Sequence, residues 1–198
     1  MSARARPIAP AGSTLPRLAA ELPHTFALID PYEGAEGVTR QLNELVSHLQ
    51  PEPIDLLDVG GDILARGEEP ALKSPLADAL GLAACCQVNV PIRLLVVGLG
   101  LDGELPLEGL RGTLGPIVHT FTAKDTEPIS SVLEWHPSKA TGMLAATAED
   151  YAARRSAGRR APRTAEDEGP TVHEAAMDEV LSRNQLPAPS WRRRTSER

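Results

Sequence analysis

The feature that most constrains this chain is an alternation of two kinds of apolar segment. Short, mostly apolar runs occupy residues 25–29 (Thr-Phe-Ala-Leu-Ile), Ile54–Val59 and Ile92–Val97, with longer segments between them. A run of about five or six apolar residues closed by turn formers suits a strand and is too short for a globular helix. Between the first two runs, Val38, Leu42, Leu45, Val46 and Leu49 recur at helical spacing. They predict an amphipathic helix over 36–49, ended by Pro51 and Pro53. Before the third run, Ser74-Pro75 reads as an N-cap with proline at the first helical position, and 76–88 is apolar nearly all round, hence a buried helix. Strand, helix, strand, helix, strand implies βαβ units and a parallel sheet. The runs lack period-two alternation, which predicts strands covered on both faces.

The rest of the chain divides around this unit. Residues 1–14 read as a disordered leader, and 15–155 as the α/β domain, with a short helix over 15–22, a weaker strand over 117–122 and a helix over 138–155. Residues 156–170 read as a polar linker. Thr171 and Glu174 match a capping box, which predicts a C-terminal helix over 171–184. Residues 185–198 read as a disordered basic tail. Aromatics make up only 3% of the 198 residues, so the core must be aliphatic.

Charge and cysteines narrow the class. The net charge of -7 divides into -10 over residues 1–150 and +3 over 151–198. An acidic body argues against nucleic acid, whose affinity rests on neutralised phosphates. Cys85 and Cys86 are adjacent, a spacing unsuited to zinc or thioredoxin-type chemistry, and are expected to be buried thiols. No secretory signal and no stretch of ~18–20 apolar residues is present, so no membrane role is expected and the protein reads as cytoplasmic.

In open α/β sheets ligands bind beyond the carboxyl ends of the strands. Asp30 follows the first run. Asp58, Gly60, Gly61 and Asp62 follow the second, and Gly98, Gly100, Asp102 and Glu104 the third. Glycines there let a ligand approach the backbone, and carboxylates bind Mg²⁺ or Mn²⁺, bind substrate hydroxyls or move protons. Asp58 and Asp62 are the candidate metal pair. Asp and Gly also occur at strand ends simply as turn formers. The spacing of Gly98, Gly100 and Gly103 meets a dinucleotide fingerprint, but Glu104-Leu105-Pro106 stands where the helix should start, which disfavours that reading. Glu134 and His136 flank Trp135 just before a predicted helix, as an acid/base pair on a pocket wall. The plainer reading is a packing tryptophan and a capping histidine.

Five segments taken in order carry a family resemblance. They are Ser-Thr-Leu-Pro-Arg-Leu-Ala-Ala-Glu-Leu from Ser13, Asp-Val-Gly-Gly-Asp-Ile-Leu-Ala-Arg-Gly-Glu-Glu-Pro from Asp58, Ser-Pro-Leu-Ala-Asp-Ala-Leu from Ser74, Leu-Asp-Gly-Glu-Leu from Leu101 and Leu-Glu-Trp-His-Pro-Ser from Leu133. Over residues 13–150, with a weaker echo at 172–184, the chain resembles the bacterial and archaeal domain-of-unknown-function family 1152. The resemblance brings no reaction. It implies an opening strand and glycine-rich loop that this chain lacks, and so a sheet incomplete at its N-terminal side. The fold expected is α/β, a Rossmann-like three-layer parallel sheet. The function expected is a small-molecule enzyme or ligand-binding domain with an acidic, glycine-rich site. The alternative is a non-catalytic remnant or interaction subunit, paired with itself or with a protein partner at its open edge.

Overall fold

Ile54–Val59 and Ile92–Val97 form the parallel pair on which the rest is assembled, as their apolar runs predict. The computed structural model describes residues 4, 6, 13–73, 75–101, 105, 110–156 and 170–195. In chain order the elements are α1 (Leu15–Glu21), α2 (Gly34–Leu49), β1 (Ile54–Val59), α3 (Pro75–Cys85), β2 (Ile92–Val97), β3 (Leu114–Thr120), α4 (Ala123–Thr126), α5 (Ser130–Leu133), α6 (Lys139–Ser156), β4 (Thr171–Ala175), α7 (Met177–Arg183) and α8 (Ser190–Thr195). Short 3-10 turns lie at Asp62–Leu64, Arg111–Thr113 and Glu127–Ile129.

The sheet has four strands in the order β1-β2-β4-β3. β1 and β2 run parallel in register, from Ile54 beside Ile92 to Val59 beside Val97. β4 lies antiparallel between β2 and β3. The fold is thus α/β with a mixed sheet, which corrects the expected all-parallel one. The cause is β4, which fills the sheet from a segment read as helix. The capping-box letters at Thr171 and Glu174 do not cap anything. Val172 and Ala175 are buried, and the segment pairs on both sides, with Val172 beside Val97 and His119. The helix expected over 171–184 shrinks to α7. A capping box does form at Thr122 and Asp125, where Thr122 N–H donates to Asp125 Oδ2 at 2.7 Å.

Three further expectations change. Residues 25–29 form no strand, and Leu28 is exposed. Both backbone groups of Asp30 are taken by the Gln41 side chain on α2, at 2.9 and 2.8 Å. Within 185–195, where a disordered tail is expected, Ser190 N–H donates to Cys86 O at 2.9 Å, and Leu186 and Trp191 pack against the core. β3 starts at Leu114 rather than 117. The leader and linker expected at 1–14 and 156–170 lie almost wholly outside the described residues.

The core sits on one face of the sheet. Leu64, Leu82, Val88, Leu94, Val96 and Val180 are fully buried there, drawn from the turn after β1, α3 and the turn that follows it, β2 and α7. Burying an aliphatic side chain of this size contributes roughly 1.5–3 kcal/mol. Leu42 and Val46 bring the apolar stripe of α2 against the same cluster. α2 ends at Gln50, whose left-handed φ of 51° closes the last turn onto Val46 O before Pro51. On the other face Val97 and Val172 are buried, but Leu57 of β1 is exposed, so β1 is not covered on both sides as expected.

Candidate functional site

The turn after β1 carries the densest group of sequence-predicted site residues. Asp58 occupies the penultimate position of β1 and is buried. Its Oδ2 accepts the Gly61 N–H at 2.9 Å and the Ile63 N–H at 3.4 Å, which folds the Gly60-Gly61 turn back over the strand end. Gly61 has φ +108°, and a Cβ there would stand 2.5 Å from Leu99 Cδ1. The positive φ favours glycine, and any Cβ would also have to push the Leu99 methyl aside. Gly60 N–H donates to Val97 O at 3.0 Å, and Gly100 N–H donates to Gly60 O at 2.8 Å. The turns after β1 and β2 are therefore stitched together. Asp58, Gly60, Gly61, Asp62, Gly98 and Gly100 share one edge of the sheet, as the parallel pairing of β1 and β2 requires.

Burial pushes the Asp58 carboxyl up to about 6, helped by the Asp78 charge on α3 and by Asp62, while the N–H groups of Ile63 and Gly61 pull it the other way. Asp78 is itself raised by burial. Asp62 keeps its Oδ1 out of solvent. Asp78 and Asp62 thus both act on the buried Asp58 carboxyl from the β1–α3 connection.

Next to this turn a cavity of about 290 Å³ opens between the 3-10 turn at Asp62–Leu64 and α3. Asp62, Arg66 and Asn184 line it with polar groups, and Ile63, Leu76 and Leu82 form much of its apolar wall. Its volume is just under the roughly 300–1,000 Å³ of small-molecule sites. Arg66, Asp78 and Asn184 were not singled out by sequence. Arg66 lies within the segment that starts at Asp58 but carries no spacing that assigns it a site, and Asn184 arrives from the end of α7. The signal for Asp78 was its place in the first turn of a helix that faces the strand ends.

The other candidates lie elsewhere. Asp30 follows no strand, and its Oδ1 accepts the Tyr32 N–H at 2.9 Å, which serves its own turn. Asp102 and Glu104 lie outside the described residues. Glu134 and His136 stand where α5 meets α6, and neither lines the cavity. Glu134 is exposed. Trp135 Nε1–H donates to Glu21 Oε2 at 2.8 Å, and the Arg17 guanidinium sits 4.0 Å over the indole ring, so this junction fastens α1 to the body. His136 Nδ1 accepts the Ser138 N–H at 3.2 Å, a capping contact at the start of α6. Cys85 and Cys86 are buried, as expected, and burial pushes both thiols up to about 11. Among the described residues no three His, Cys, Asp or Glu side chains group as a metal set, and no helix is long and apolar enough to cross a membrane.

A sequence model of the family described as "Protein of unknown function (DUF1152)" matches residues 1–189. The match extends beyond the 13–150 that the resemblance covers. No curated protein and no solved structure matches the chain.

Proposed function

The chain belongs to the protein family of unknown function DUF1152, a membership that brings no reaction with it, and from the geometry we propose that it is a small-molecule-binding α/β domain with its site in the cavity beside the β1–α3 connection. The observation that carries this reading is that the buried Asp58 and the cavity-lining Asp62 stand on one glycine turn. The β1–α3–β2 crossover is Rossmann-like in this respect, with its polar turn beyond the strand carboxyl ends. The ligand is a small amphiphile. Its polar group meets Asp62, Arg66 and Asn184, and its apolar part rests on Ile63, Leu76 and Leu82.

Asp58 does not line the cavity. In this reading it positions the turn, and Asp62 meets the ligand. A divalent cation in the cavity, Mg²⁺ or Mn²⁺, would meet Asp62 and keep most of its water, as Mg²⁺ commonly does, with the buried Asp58 behind it holding the turn. Glu134 and His136 receive no chemistry here. The test is a thermal melt of the full chain against Mg²⁺, Mn²⁺, Zn²⁺ and a library of small amphiphiles. A ligand that binds only the folded state raises the midpoint, by about 2.7 kcal/mol of stability at one hundred times its Kd. A shift that vanishes in both Asp62→Asn and Asn184→Leu supports the site. No shift with any probe, or a shift that survives both substitutions, removes it.

A further inference from the structure

Among the described residues β1 is the outermost strand on its side of the sheet. Its even-numbered positions face β2, since Ile54 N–H donates to Pro91 O and Gly60 N–H to Val97 O, both at 3.0 Å. Backbone groups alternate along a strand, so the N–H and C=O of Asp55, Leu57 and Val59 point away from the sheet. The edge is regular, with no bulge against β2, and Leu57 on it is 56% exposed. Its charge is already balanced, because Arg93 grips Asp55 with two hydrogen bonds of 2.7 and 2.8 Å. The opposite edge, β3, carries Pro116 and two register irregularities, devices that blunt an edge against pairing.

We propose that β1 is the docking surface for a second copy of this chain, paired antiparallel about a two-fold axis at Leu57 so that two sheets become one. The alternation of backbone groups fixes this register. An axis at Leu57 sets Leu57 against its own copy and Asp55 against Val59, so every outward N–H and C=O of the three residues finds a partner. An axis at Leu56 would set Val59 against Pro53, which has no N–H. The charges also permit it. In the Leu57 register Asp55 faces Val59 and Asp58 faces Leu56, so no carboxylate opposes another. A charged partner strand would find no complementary charge on this edge, whereas the edge is complementary to itself, as an isologous dimer requires. The net charge of -7 on each copy is screened beyond about 8 Å at physiological ionic strength.

The register makes a positional test possible. Directly opposed, hydrogen-bonded residues of an antiparallel pair have Cα atoms about 5.5 Å apart, within the roughly 4.4–6.8 Å that a disulfide spans. Leu57→Cys in the full chain is expected to form a covalent dimer under mild oxidation. Asp55→Cys is not, because the two copies of residue 55 lie about 14 Å apart along the ladder. In sedimentation velocity the unmodified chain is expected to be a dimer. Leu57→Lys becomes a monomer with its melt retained, and Val118→Lys on the β3 edge stays a dimer. A monomeric unmodified chain, equal cross-linking of both cysteine variants, or a Leu57→Lys dimer would each overturn the proposal.

Discussion

Two polar clusters in this molecule looked alike as letters and differ as structures. The Asp58–Asp62 turn is held by backbone: two carboxylate-accepted N–H groups, a positive-φ glycine against Leu99, and a hydrogen bond from Gly100 to Gly60. The Glu134–His136 junction is held by side chains at the surface, through Trp135 to Glu21 and Arg17. The first confines a buried acid beside a cavity. The second fastens a helix. What makes a cluster a candidate site is therefore not its residue types. It is whether the backbone forces charged groups together where water is scarce.

The largest expected effect tests that rigidity. Gly61→Val places a β-branched side chain at φ +108° and against Leu99 Cδ1. Backbone strain of about 1–3 kcal/mol adds to overpacking of about 1–3 kcal/mol. At roughly 2–4 °C per kcal/mol for a chain this long, the melting midpoint should fall by about 10 °C. Gly67→Val is the control, since Gly67 also has positive φ (+86°) but nothing within 4 Å of its Cβ position. It should lose only the strain. If the two variants melt alike, Leu99 does not clamp the turn.

The next effect tests the buried acid. The Asp58 pKa is raised in the fold from 3.8 to about 6. The associated stability is present below the ordinary carboxylate range and is lost as pH rises from about 4 through about 6. By pH 7.5 the loss reaches about 3 kcal/mol. Asp58→Asn keeps an amide oxygen for the Gly61 N–H and cannot ionise. It should be the more stable form at pH 7.5 and should lose most of the pH slope. Equal slopes in the two proteins, read from urea midpoints between pH 4.5 and 7.5, would mean that Asp58 is not desolvated.

How far all this could be read from letters depends on distance along the chain. β1 and β2 match their apolar runs residue for residue, and α2, α3 and α6 follow their periodicity or their proline boundaries, because those signals are local. Residues 25–29 have strand propensity but join no strand of the sheet, while Thr171–Ala175 has a helix-start pattern and pairs with both β2 and β3. In each case the neighbour decided, as strand propensity generally allows. The candidate site divides the same way. The glycine-Asp turn is local and legible. The cavity wall is not, because nothing in the local sequence around Arg66 says what it lines and Asn184 comes from a distant helix end. The outward-facing backbone groups of β1 were not legible either, because assigning them required the hydrogen bonds to β2.

The smallest expected effect closes the comparison from the other side. Trp135→Phe removes the indole N–H that Glu21 accepts, and weakens the face on which Arg17 rests. A cation–π contact near the surface is worth about 0.5–1 kcal/mol, so the global melt should move by about 1 kcal/mol or less. The change should be local. Amide exchange should quicken over α1, which the junction fastens, and stay unchanged in β1 and β2. Any ligand shift found at the Asp62 cavity should survive the substitution intact. If Trp135→Phe instead abolishes that shift, the two clusters act on one ligand. Glu134 and His136 then return as candidates for its chemistry, and the separation drawn between a buried turn and a surface fastening fails.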